Sequence, residues 1–179
     1  MSQKSTQIAL GGIFSALCVT LMFFAGFLPI GSYAFPLAAG AMLLPLVVEL
    51  GCKPAVMVYV SVSLLCMLIV PDREAAVMFA AFFGYYPIAK QKLELLPSRA
   101  IEYLCKLLLF NISAVVGFLL VVHLLGMAQA LEGMGEFGRY APLVLLGLGN
   151  LFFVIYDMAL TRFYTIYIEW LRPKILRKG

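Results

Sequence analysis

A chain of 179 residues that is 64% hydrophobic and 12% charged, with a mean hydropathy of +1.02, leaves no room for a soluble domain. Six apolar runs of about 20 residues each would take up roughly two-thirds of it. The net charge of +4 is accounted for by basic residues flanking those runs, so it points to no nucleic-acid partner.

Backbone polar groups in lipid must be satisfied within the segment, which leaves helices or a closed barrel. The runs are too long and too continuously apolar for alternating barrel strands. The fold expected is an all-α integral membrane protein, with six transmembrane helices in one compact bundle spanning residues 1–179.

The first run covers about 8–28 and ends at Pro29-Ile30-Gly31, a turn-like break. It is longer than the apolar core of a signal peptide, so a retained first helix is expected. The second, 34–49, has Pro36 in its first turn and Pro45 inside, where a kink is expected. The third, 54–70, opens on Pro54, a residue suited to a first turn. The fourth, 75–89, is short and holds Gly84 and Pro87, so it should end early or break. After the connection 90–102 comes the fifth run, 103–126, then a glycine-containing loop, 127–141, and the sixth run, 143–165, which continues toward 170. A helix of that length reaches about 43 Å at about 1.5 Å per residue. Arg162 through Trp170 are therefore expected to project through the headgroups, with Tyr164, Tyr167 and Trp170 as an interfacial belt.

Basic residues sort between alternate connections. Lys4, Lys53, Lys90, Lys92, Arg99, Arg172, Lys174, Arg177 and Lys178 fall on one side, and only Arg73 and Arg139 on the other. Such charges accumulate in short cytoplasmic loops, which predicts a multi-pass protein of the cell membrane with both termini cytoplasmic. Cys18, Cys52, Cys66 and Cys105 show no C-x-x-C spacing and read as small hydrophobes rather than a disulfide or zinc framework.

Three groups of residues stand out. Ala9, Gly12, Ala16 and Thr20 fall within roughly 80° of one helix face, a small-residue stripe that lets another helix approach closely. Its partner is either this protein's own bundle or a separate one. Asn150, Asp157, Thr161 and Tyr164 form a polar line on the sixth run, and Lys106, Ser113 and Gly117 share a face of the fifth. Ionisable groups in spans face the bundle interior, so Lys106 and Asp157 are expected to pair as a structural ion pair. Asp157 meeting Arg162 or capping a backbone is the alternative. In the outer half, Tyr33, Met78, Phe79, Phe82, His123, Tyr140 and Asn150 are the candidate substrate-binding residues, with Arg73 and Glu74 nearby. A lone His123 does not make a metal site, and Asn150 serves equally well in helix–helix bonding. No catalytic motif is present, so no enzyme activity, resident cofactor or metal is expected.

The opening Thr6-Gln7-Ile8-Ala9-Leu10-Gly11-Gly12-Ile13-Phe14-Ser15-Ala16-Leu17, the chain length, the six runs and the 127–141 loop resemble the substrate-binding S component of energy-coupling factor (ECF) transporters. In that family an alanine-x-x-x-alanine element docks on a transmembrane coupling subunit, and Gly12 stands here at the first alanine. The resemblance implies that Ala9, Gly12 and Ala16 form the coupling-subunit interface. It also implies capture of a small, vitamin-like molecule from outside, with ATP used by a partner ATPase pair rather than by this chain. The rival reading is a non-transporting six-helix scaffold of the rod-shape-determining, cell-wall elongation type.

Overall fold

The computed structural model describes residues 3–28, 30–124 and 141–176, and every regular element among them is helical. In chain order these are α1 (Gln3–Phe23), a 3-10 turn (Phe24–Phe27), α2 (Gly31–Leu50), α3 (Cys52–Ile69), α4 (Arg73–Met78), a π turn (Phe79–Phe83) and α5 (Tyr86–Leu93). Then follow α6 (Arg99–Leu119), a second π turn (Leu120–Leu124), α7 (Ala141–Ile166), a third π turn (Tyr167–Leu171) and α8 (Arg172–Leu176). Tyr140 and most of the 127–141 loop lie outside the described residues.

Five helical stretches are long and apolar enough to cross a membrane: Gln7–Phe27, Gly31–Leu50, Cys52–Ile69, Arg99–His123 and Leu146–Lys174. That is compatible with a multi-pass membrane protein, and the packing supports it. On α3, Ala55, Val62 and Cys66 are fully buried, yet Met57, Leu64 and Leu68 are 72%, 63% and 77% exposed. A contiguous apolar surface of that kind is a liability in water and costs nothing against lipid.

The expected fourth crossing is not among these five stretches. Its residues form α4, the π turn and α5, with Gly84 and Tyr85 as the joint. Asp72 caps its start by accepting the Ala75 N–H at 3.0 Å, as a short acidic residue does at an N-cap. The π turn leaves backbone carbonyls displaced from the helical ladder, and the Tyr59 hydroxyl donates to one of them, Ala80 O, at 2.5 Å. Interruption of a span is tolerated where protein surrounds it. Here Ala75, Ala76, Phe79 and Tyr86 are fully buried, and this element packs on α2, α3 and α6.

α2 starts three residues earlier than expected, so Pro36 lies inside it beside Pro45, and the helix runs unbroken through both. Two glycines enable the packing around it. Gly51 has φ +84° and joins α2 directly to α3, a left-handed conformation that a side chain resists. Gly40 lets the backbone of α2 meet the π turn, because a Cβ there would collide with the Phe83 carbonyl.

Two apolar clusters result. Cys18, Met22, Leu43, Val62, Cys66 and Phe79 join α1 to α4, whereas Leu44, Phe82, Tyr86, Phe153, Tyr156 and Leu160 join α2 and α5 to α7. In the second, Phe82 stacks on Tyr86 with centroids 4.8 Å apart, and Phe110 stacks on Phe153 at 4.9 Å. Stacked and edge-on pairs of this kind add about 0.5–1.5 kcal/mol beyond the area they bury.

Candidate functional site

The densest chemistry lies where α5, α6 and α7 meet. Asp157 on α7 accepts the Lys90 ammonium and the Tyr86 hydroxyl on Oδ1, at 2.5 and 2.6 Å, and faces Lys106 Nζ with Oδ2 at 3.2 Å. Lys90 also meets Glu94 at 2.6 Å, and Lys106 meets Glu102 at 2.7 Å and Glu94 at 3.2 Å. Lys90 and Lys106 are 3% and 2% exposed. Helical spacing explains part of this arrangement. Lys90–Glu94 and Glu102–Lys106 are i,i+4 neighbours, so each lysine carries a local carboxylate, and packing delivers Asp157 to both.

The structure thus brings Lys106 and Asp157 together and adds four partners that the sequence reading left in a connection or unremarked: Tyr86, Lys90, Glu94 and Glu102. The i,i+4 lysine–glutamate spacing was the one available signal. Desolvating Lys90, Lys106 and Asp157 is costly, and such a network is weak evidence of stability; its geometric role is to tie three helices in one register. Beside it is a cavity of about 20 Å³ lined by Leu44, Pro87, Lys90, Gln91, Glu94, Thr161 and Tyr164, room for a single water molecule.

Further along the same seam, Asn111 and Asn150 exchange amide hydrogen bonds at 2.9 and 3.0 Å, and each also donates to its own helix, at Leu107 O and Leu146 O. Tyr85 and Ser113 share a hydroxyl–hydroxyl bond between α5's entry and α6. Of the polar line of α7, Asn150 and Asp157 face protein, as interior polar groups in a span must, whereas Thr161 and Tyr164 are exposed.

The expected substrate-binding residues do not converge. Phe79 is fully buried in the first apolar cluster and Phe82, 5% exposed, in the second, with Met78 packed against the latter. Asn150 is occupied by Asn111. Tyr33 is exposed and donates to Glu74 at 3.4 Å, and His123 is exposed with Nδ1 3.2 Å from Leu119 O on its own helix. Tyr140 is outside the described residues. Among the described residues no group of three or more His, Cys, Asp or Glu is placed to hold a metal ion.

The α1 stripe faces outward. Ala9, Gly12, Ala16 and Thr20 are all exposed, and a Cβ at Gly12 would meet nothing within 4 Å. The helix packs inward through Cys18, Met22 and Ala25 instead. Among the described residues, these four are left open on the surface of α1.

At the basic end, Glu49 at the close of α2 accepts Tyr167 OH at 3.2 Å and Arg172 Nε at 2.9 Å. These two bonds tie the end of the last long helix, through Tyr167 and Arg172, to the end of α2.

No protein-family model, curated protein or solved structure matches the chain.

Proposed function

We propose that the protein is the membrane-embedded substrate-binding component of an ECF-type uptake transporter. It captures a small, vitamin-like molecule from outside and couples, with both termini cytoplasmic, to a transmembrane subunit and its ATPase pair. The observation that carries this reading is the unpartnered small-residue stripe. Ala9, Gly12 and Ala16 lie exposed along one face of α1, and the bundle makes no use of them. In lipid, helix association depends on close packing rather than on hydrophobic expulsion, so an open small-residue face suits docking by another transmembrane helix. The charge network lies among α5, α6 and α7, whereas α1 packs chiefly on α2 and α3, so docking on the stripe would leave the network undisturbed.

The scaffold reading has one observation in its favour. Phe79, Phe82 and Asn150 already have protein partners, which leaves Tyr33, Met78 and His123 as the described residues available to a ligand. Both readings use the stripe and differ in what it meets. Purification of the chain from its native membranes in a mild detergent separates them. The transporter reading expects a coupling subunit and paired ATPases in stoichiometric amounts. Recovery of cell-wall synthesis proteins in their place overturns it.

A further inference from the structure

Five of the thirteen Lys and Arg residues, and one of the nine acids, lie in the last eighteen positions, at Arg162, Arg172, Lys174, Arg177, Lys178 and Glu169. That segment alone therefore carries the chain's whole net charge of +4, and the other 161 residues are formally neutral. A topology signal requires only a bias between loops, and the connections before this point already supply it.

Among the described residues, Arg162, Arg172 and Lys174 lie on the same stretch as an amphipathic anchor. Trp170 is 63% exposed, and the Lys174 ammonium stands 3.3 Å from its ring centroid. Ile166, one turn earlier, is 52% exposed, and Arg162 and Lys174 are exposed as well. The Arg172 side chain is 45% exposed even while Nε holds Glu49. Glu49 thus joins Tyr167 and Arg172 to the end of α2. Among the described residues the acid bonded to the segment from a packed element is Glu49, Glu94 lines a cavity with Tyr164 while paired to Lys90 and Lys106, and the segment's own acid is Glu169.

We propose that residues 162–174 form a binding surface for anionic phospholipid headgroups in the leaflet at the C-terminal end. Trp170 and Ile166 enter the interface and Lys174 meets the phosphates, with the charges of Arg177 and Lys178 following it in the sequence. An anionic lipid satisfies both halves of this surface, the exposed indole with its apolar neighbour and the cations beside it, whereas a soluble anion engages only the cations. Clustered basic residues next to a crossing attract acidic leaflets in this way, and indole rings settle at headgroup level.

Trp170 is the chain's single tryptophan, so its fluorescence reports this surface alone. The full chain would be reconstituted into bilayers in which either phosphatidylglycerol or phosphatidylcholine carries brominated acyl chains, at equal mole fractions. Brominated phosphatidylglycerol is expected to quench Trp170 about twofold more strongly. Raising NaCl from about 0.1 M to about 1 M, which shortens the Debye length from about 10 Å to about 3 Å, is expected to erase the difference. The triple substitution Lys174→Gln, Arg177→Gln, Lys178→Gln, which spares the Glu49 clamp, should bring the two lipids to equal quenching. Equal quenching of the unsubstituted chain overturns the proposal, as does a preference that survives the triple substitution or high salt. Little quenching by either lipid places Trp170 away from the interface and overturns it too.

Discussion

Asn111 and Asn150 close on each other: each amide donates to the other's carbonyl, and each spends its second N–H on a carbonyl of its own helix. No donor is left over on either side chain. A residue that looked free to read a ligand is instead a pin between α6 and α7.

Substituting one member of this pair strands the other. Asn150→Leu or Asn111→Leu alone is expected to cost about 1–2 kcal/mol of stability, and the double substitution far less than the sum. Unfolding in mixed detergent micelles, run as a double-mutant cycle, checks this. Additive losses would show that the amides do not act as a pair.

Asp157 serves two lysines unequally. Lys90 sits on it at 2.5 Å, whereas Lys106 at 3.2 Å keeps Glu102 and Glu94 as further partners. Asp157→Ala should therefore cost about 3 kcal/mol. The Lys90–Asp157 coupling should exceed the Lys106–Asp157 coupling by about 1 kcal/mol. Equal couplings would mean that Lys106 does not rely on its glutamates.

Gly40 and Gly12 should answer oppositely to the same change. A methyl at Gly40 meets the Phe83 carbonyl, and one at Gly12 meets nothing within 4 Å. Gly40→Ala is expected to lose about 1–3 kcal/mol to overpacking, and Gly12→Ala to stay within about 0.5 kcal/mol of the unsubstituted protein. Thermal unfolding in detergent reads both.

The stripe separates folding from association. Gly12→Leu with Ala16→Leu should leave the monomer's melting temperature within about 2 °C while abolishing recovery of a membrane partner on purification. A monomer that fails to fold would show that this face is needed inside the bundle.

Helix content was legible because it follows from local apolar continuity, and the weak fourth run could be flagged from Gly84 and Pro87. Lys106 and Asp157 could be turned inward because an ionisable group in a span has nowhere else to go. Lys90 and Glu94 were not recognised, since on a linear reading they belong to a connection. Lys90 becomes interior, with Glu94 at its side, only because α5 resumes after the π turn and meets α6 and Asp157 of α7. Phe79 and Phe82 were read as a pocket lining from their position along the chain, but the π turn sends them into different clusters.

By itself, then, the sequence determined which segments are helices, which of them suit lipid, and which end of the bundle is basic. These depend on transfer energies and charge counts summed along a chain. Only the tertiary structure decided which polar groups are spent on one another and which surfaces stay open. Asn150 is consumed, Asp157 is shared among Tyr86, Lys90 and Lys106, and the α1 stripe is left free. Those outcomes depend on how helices distant in sequence rotate and cross, and no local pattern encodes that.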